Sequence, residues 1–162
     1  MTAGQTISAG TNGNALSWSM LDQLLDAVPN GADVIFMPRS VLRAYRTLLR
    51  TGSGGMTPDS VIMSDFGMPL IAHNGTPILV TDFLPLTETQ GSNATTCSVY
   101  AARLNETDGL HGIVGGEAAG IQFEEIGTVQ NKDSTRSRLK WYTGLALKST
   151  KSIARIQGIT NV

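Results

Sequence analysis

Residues 33–50 read DVIFMPRSVLRAYRTLLR, and this stretch decides the fold. The apolar run before Pro38 predicts a short buried strand. A proline favours the first position of a helix because no N–H partner is needed there. The helix that follows is predicted to run to about Arg50. Apolar residues at helical spacing predict its buried face: Val41, Leu42, Tyr45, Leu48 and Leu49.

The same helix carries four arginines: Arg39, Arg43, Arg46 and Arg50. At 100° per residue, this spacing puts them within about 60° of one another, opposite the apolar face. We call this row the arginine stripe. It fits a solvated helix face. It also fits a row of bidentate donors for phosphates or for the carboxylates of a neighbouring subunit.

Upstream of this strand and helix, the sequence predicts a second helix and a polar lead. Residues 16–28 have amphipathic spacing, a capping Ser17, and a stop signal at 29–31. Residues 1–15 are small and polar, and they predict a flexible lead segment rather than a folded element.

Downstream, short apolar runs alternate with turn signals. Asn74-Gly75 predicts a tight hairpin turn. Residues 87–95 predict a polar loop. Further strands are predicted at 96–104, 110–114 and 120–126.

Residues 135–147 alternate with unusual regularity and predict one long strand. Leu139, Trp141 and Leu145 point to one side, whereas Arg138 and Lys140 point to the other. Thirteen residues in a strand span roughly 43 Å, which is long for a small domain. The expected fold class is therefore α+β: a mostly antiparallel sheet flanked by helices, with one long C-terminal strand.

The composition indicates a folded chain with an uneven distribution of charge. Its 162 residues are 41% hydrophobic and 15% charged, with a formal net charge of −1. Residues 1–131 carry five basic and twelve acidic residues, a net of −7, whereas residues 132–162 have a net of +6. Such asymmetry fits acidic and basic strands paired in one sheet, charge matching between subunits, or contact with nucleic acid.

The sequence offers little support for an enzyme. His73 and His111 lie beside turns without a second histidine at metal-binding spacing, so no metal and no cofactor are predicted. His73 is interpreted as a polar turn residue and Cys97 as a buried structural cysteine. Glu124 and Glu125 are adjacent on a strand, so they point to opposite faces and cannot share a proton. There is no membrane-spanning apolar run and no secretory pattern at the start.

Four stretches together carry a resemblance to a known family. They are GQTISAGTNGNALSWSMLDQLLDAV, ADVIFMPRSVLRAYRTLL, DFGMPLIAHNGTPILVTDFLP with its FGxP and NGxP turns, and SRLKWYTGLAL followed by KSIARIQGI. In this order, the chain resembles the C-terminal part of a tailed-bacteriophage major capsid protein with the Hong Kong 97 type fold, which encapsulin shells share. Members of that family carry an N-terminal arm, an extended loop and a long spine helix before the matched region.

The resemblance implies a structural virion protein. Residues 16–131 would be an axial-type domain, and 132–162 would be the long strand and terminal segment that return to a peripheral-type domain. The implied partners are copies of itself in pentamer- or hexamer-type capsomers, with packaged double-stranded DNA on the inner face and no membrane. The capsid would assemble in the bacterial host cytoplasm. The candidate intersubunit contacts are Arg39, Arg43, Arg46, Arg50, Arg136, Arg138, Lys140, Glu124 and Glu125.

Two alternatives remain open at the level of sequence. One is an encapsulin-like compartment shell protein. The other is a nucleic-acid-binding module that uses the basic segment 132–155. The overall pI of about 6.1 argues against such a module, as do the few aromatics near these basic residues.

Overall fold

A computed structural model describes residues 4–51, 61–63, 69–115 and 120–162. The helices are α1 (Trp18–Asp26) and α2 (Arg39–Thr51), with a short 3-10 turn at Thr150–Ser152. The first six strands are β1 (Thr6–Ser8), β2 (Val34–Met37), β3 (Val61–Met63), β4 (Pro69–His73), β5 (Thr76–Val80) and β6 (Glu88–Gln90). The other six are β7 (Asn93–Ala102), β8 (Leu110–Gly115), β9 (Gln122–Thr128), β10 (Thr135–Lys140), β11 (Tyr142–Leu147) and β12 (Ile153–Ile159).

The main sheet has the order β1-β12-β7-β2-β5-β4-β3, and β6 also pairs with β7. The pairs β1–β12 and β2–β5 are parallel, and the other pairs are antiparallel. The mixed α+β class and the mostly antiparallel sheet are thus as expected. The two helices and the sheet share one hydrophobic core, whose fully buried side chains include Leu21, Leu24, Ile35, Val41, Tyr45, Val99 and Ile156.

Both helices form where their end signals and apolar spacing predict. Ser17 caps α1, and its Oγ accepts a hydrogen bond from the backbone N of Met20 at 3.4 Å. Helix α2 follows Pro38 directly and buries the predicted face, with Leu48 only half-buried. The turn at Asn74-Gly75 forms as well, with φ of 48° and 80°, and it joins β4 to β5.

The lead segment is part of the sheet, so the expectation of an unfolded linker is wrong for its described residues. Strand β1 runs parallel to β12, and the backbone N of Asn14 donates to the carbonyl of Gly158 at 2.9 Å. A Cβ at Gly13 would lie 2.5 Å from that carbonyl oxygen. Glycine is therefore needed at position 13 for the close approach of the two backbones.

The polar loop predicted at 87–95 is instead a hairpin of β6 and β7. Glu88 lies opposite Thr96, and Gln90 lies opposite Asn93. Polar groups help to hold this hairpin: the Thr96 hydroxyl donates to the Glu88 carbonyl at 2.8 Å, and the Thr95 backbone N donates to the Asn93 side-chain oxygen at 3.0 Å. Polarity alone therefore misidentified a short strand as a loop.

The single long strand predicted over 135–147 is also wrong: the chain forms β10 and β11, interrupted at Trp141. Strand β10 pairs with β9, whereas β11 pairs with β8. The alternating stretch therefore changes partner from β9 to β8 at Trp141. Side-chain alternation sets which face a residue occupies, but a ladder continues only where a partner continues.

The chain divides into two compact units. One comprises Met1–Leu110 with Leu147–Val162, and the other comprises His111–Ala146. The boundaries predicted after residues 15 and 131 do not coincide with this division. The FGxP turn noted in the sequence includes residues 66–68, which lie outside the described residues.

Candidate functional site

All four arginines of the stripe are exposed on the outer side of α2. Arg39 pairs with Asp82 at 3.0 Å, and both side chains are largely in water. The hydrogen bond and charge of Arg39 lower the pKa of Asp82 from its usual value. Arg43, Arg46 and Arg50 take part in none of the ion pairs found in the described parts of the chain. Among the described residues, these three guanidinium groups have no acidic partner, so they are the ones that we consider for binding an external anion.

The His111–Ala146 unit contains the rest of the predicted contact residues on a β-hairpin. In the β9–β10 ribbon, Arg138 lies directly opposite Glu124. The Lys140 Nζ approaches the Glu124 carboxylate to 2.5 Å, and Arg138 lies 3.9 Å from it. The hydrogen bond and charge of Lys140, with a smaller effect of Arg138, lower the pKa of Glu124. An acidic side chain of β9 is thus ion-paired with basic side chains of β10 within one chain.

The remaining predicted contacts of this ribbon are exposed and separate from that ion-paired cluster. Glu125 lies opposite Ser137 and so points to the other face, as its adjacency to Glu124 predicts. Arg136 lies opposite Gly127, next to an irregularity in the pairing. The structure therefore brings together three of the predicted residues on this hairpin and leaves two apart.

The opposite face of the ribbon is exposed, and it carries large apolar side chains beside the charged Glu125. Leu139 lies opposite Phe123, with 69% and 67% of their surfaces in water. Ile121 and Trp141, which lie next to these strands in sequence but outside them, are also mostly exposed. The sequence predicted a shared side for Leu139 and Trp141. It did not identify Phe123 as their neighbour, because that requires the pairing register.

His73 is buried rather than a polar turn residue, which corrects the interpretation from sequence. Its Nε2 lies 3.0 Å from the Asp22 carboxylate, and its Nδ1 lies 3.5 Å from the Tyr45 hydroxyl. The Trp18 ring stacks on its imidazole, with 5.4 Å between ring centroids. Since both ring nitrogens have partners, the arrangement joins α1, α2 and β4 as a structural cluster.

The remaining features to consider are the single cysteine, a possible metal site and the apolarity of the helices. Cys97 is fully buried, and desolvation, with a smaller effect of Glu88, raises the pKa of its thiol to about 11. Within residues 4–51, 61–63, 69–115 and 120–162, no three His, Cys, Asp or Glu side chains lie close enough to hold a metal ion. Neither described helix has the length and apolarity needed to span a membrane.

The chain was compared with known proteins by sequence and by structure. No protein family model matches it, and no curated protein matches it. Its structure resembles the subunit of the holo-SrpI encapsulin complex from Synechococcus elongatus PCC 7942, with a TM-score of 0.75 and 22% identity. It also resembles a phage-related protein from Bordetella bronchiseptica RB50, with a TM-score of 0.51 and 11% identity.

Both likenesses extend over 99% of this chain, which spans only 55% and 58% of the two matched chains. At these identities the likeness establishes the fold. The chain has the Hong Kong 97 type fold of encapsulin shell subunits.

Proposed function

We propose that this chain is a subunit, or part of a subunit, of a self-assembling protein shell, and specifically a major capsid protein of the tailed-phage type. The observation that carries this proposal is the likeness of nearly the whole chain to an encapsulin subunit. The phage-related neighbour supports it further. On this proposal the chain has a structural role in a virion and is not an enzyme.

The exposed surfaces support association with further copies. Arg43, Arg46 and Arg50 offer bidentate donors without partners in the described chain. Arg39, Arg136 and Glu125 are also exposed and complete the proposed contact set with the Glu124 ion pairs. Charges at such a boundary set the register and the rate of association more than its strength.

A second candidate is an encapsulin-like compartment shell, because one of the two similar structures is an encapsulin. The two candidates differ in what the shell encloses, which is DNA in a virion and a cargo enzyme in a compartment. Genome context separates them: neighbouring terminase, portal and protease genes indicate a virus, whereas a neighbouring cargo enzyme gene indicates a compartment.

The virion proposal includes contact between packaged double-stranded DNA and an inner face of the shell. The arginine stripe is the basic surface that we would test first. A salt-dependent gel shift with duplex DNA is expected to weaken when Arg43, Arg46 and Arg50 are replaced, because phosphate contacts release counterions. No shift at near-physiological salt would contradict the DNA contact without affecting the shell proposal.

The experiment that tests the shell proposal is particle size measured by light scattering over a range of protein and salt concentrations. We expect association that grows with protein concentration and changes with salt, together with ring- or shell-like particles in electron micrographs. A strictly monomeric chain at high protein concentration and low salt would contradict self-association of this chain.

A further inference from the structure

The sequence contains three Asn-Gly pairs: Asn12-Gly13, Asn30-Gly31 and Asn74-Gly75. In such a pair the glycine amide nitrogen can attack the side-chain carbonyl of the asparagine, because glycine has no side chain to obstruct the approach. All three asparagines are exposed, and all three pairs lie in the described part of one compact unit. Exposure therefore does not distinguish the three pairs, whereas their hydrogen bonds do.

The glycine nitrogens of the first two pairs are held by hydrogen bonds. The Gly13 backbone N donates to the Gly10 carbonyl at 3.2 Å, and the Gly31 backbone N donates to the Val28 carbonyl at 2.9 Å. Each N–H must leave its acceptor before the nitrogen can lose its proton and attack. Gly13 is also crowded, because a Cβ there would lie 2.5 Å from the carbonyl oxygen of Gly158. Both pairs are therefore protected by the fold.

The third pair lacks this protection. Asn74 and Gly75 form the turn between the paired residues His73 and Thr76, and the Gly75 N–H has no hydrogen-bond partner in the described chain. A Cβ at Gly75 would meet no atom within 4 Å, so the turn has room to change shape. The Asn74 side-chain amide donates to the Asp22 carboxylate at 3.1 Å. The attacking nitrogen is thus free of the fold, although the amide that leaves is in contact with α1.

We propose that Asn74 is a site of spontaneous deamidation, at which the folded chain converts faster than at Asn12 or Asn30. After losing its proton to water, the Gly75 nitrogen attacks the side-chain carbonyl carbon of Asn74, and a succinimide ring forms. The bond from this carbon to the side-chain amide nitrogen breaks, and that nitrogen takes up a proton and leaves as ammonia. Water then opens the ring to aspartate or isoaspartate, so no oxidant or reductant is needed.

Conversion changes a contact that joins α1 to the β4–β5 hairpin. The Asn74 amide donates to the Asp22 carboxylate, whose other partner is His73 Nε2 at 3.0 Å. An ionised aspartate at position 74 has no proton to donate, and it places a second negative charge beside Asp22. An isoaspartate adds a methylene to the backbone of a two-residue turn, whose geometry sets the register of the hairpin. Both products weaken this link.

The test follows all three pairs in one sample of the full chain. The folded chain is incubated at mildly alkaline pH, and peptide mapping by mass spectrometry measures the conversion of each asparagine over time. We expect Asn74 to convert roughly 5-fold faster than Asn12 or Asn30, which is the factor for breaking one hydrogen bond of typical net strength. In the chain unfolded by urea, we expect similar rates at the three pairs, because the contacts of the fold are lost.

Two outcomes would overturn the proposal. The first is equal conversion at the three pairs of the folded chain, or faster conversion at Asn12 or Asn30. The second is an equally large preference for Asn74 in the unfolded chain, since the local sequence rather than the fold would then set the rate.

The effect of conversion is tested with Asn74→Asp, which carries the aspartate product. We expect this variant to unfold at a lower urea concentration than the original chain. The matched control is Asn93→Asp: the Asn93 side-chain oxygen accepts from the Thr95 backbone N at 3.0 Å, so a carboxylate there keeps the bond and the midpoint. An unchanged midpoint for Asn74→Asp would contradict the weakened link. Neither experiment involves assembly, so failure of this proposal leaves the shell proposal standing.

Discussion

Glu124 on β9 forms ion pairs with two basic residues of the neighbouring strand β10. Its carboxylate has Lys140 at 2.5 Å and Arg138 at 3.9 Å, and these two cations hold its pKa below the usual value of a glutamate. A lowered pKa in the folded chain means that the carboxylate stabilises the hairpin above about pH 4.5. This contribution is lost as the pH falls through the lower folded value.

At the scale of this residue, we predict that Lys140→Gln raises the pKa of Glu124 toward 4.5, because the largest cause of its lowering is removed. The measurement is an NMR titration of the side-chain carboxyl carbon. Lys148→Gln is the matched control, since Lys148 makes no ion pair with Glu124. An unchanged pKa in Lys140→Gln would show that the close contact is absent in solution.

At the scale of elements, the His73 cluster joins two helices to one strand. The buried Tyr45 on α2 donates its hydroxyl to the Ala72 carbonyl on β4 at 3.1 Å. Asp22 on α1 contacts His73 on the same strand. The sequence placed Tyr45 on the buried face of α2, but it did not indicate a polar partner there. That partner comes from a strand 27 residues away.

We predict that Tyr45→Phe lowers the free energy of unfolding by about 1–2 kcal/mol, because a buried carbonyl loses its donor. The matched control is Tyr142→Phe, whose ring is 59% exposed and whose change is expected to stay within about 0.5 kcal/mol. Urea denaturation of both variants measures the difference. Equal stabilities of the two variants would contradict a structural role for this hydroxyl.

At the scale of the whole molecule, the net charge of −1 is the sum of charged residues that are ion-paired within the chain and charged residues that are not. Part of the positive charge is used inside the chain, as in the pair of Arg155 with Glu88 at 2.9 Å. The three arginines of the stripe beyond Arg39 are not used in this way in the described residues. Because they lie in one row on α2, they are the group of unpaired charges whose contact with a partner we test here.

We predict that replacing Arg43, Arg46 and Arg50 with Gln leaves the folded chain intact and weakens self-association roughly 10-fold. This figure assumes about 0.5 kcal/mol for each exposed pair. Sedimentation at two salt concentrations measures this change, and the salt dependence is expected to decrease. The matched control replaces three other exposed cations, Lys132, Lys148 and Lys151, with Gln. Equal losses in both triple variants would indicate a general charge effect rather than a contact at the stripe.

The sequence by itself determined those features that depend on near neighbours in the chain. The Ser17 cap, the buried face of α2 and the Asn74-Gly75 turn all follow from residues within a few positions of one another. The exposed arginine stripe follows from the same helical period. The resemblance based on the order of such segments also indicated the Hong Kong 97 type fold.

Tertiary structure alone decided what depends on partners distant in sequence. The lead segment is a strand because β12 offers it an edge, and the stretch 135–147 is divided at Trp141, where its partner changes from β9 to β8. The burial of His73 likewise depends on Asp22 and Tyr45 from other elements. A local pattern fixes the periodicity of a segment, but only the packed chain fixes which groups meet.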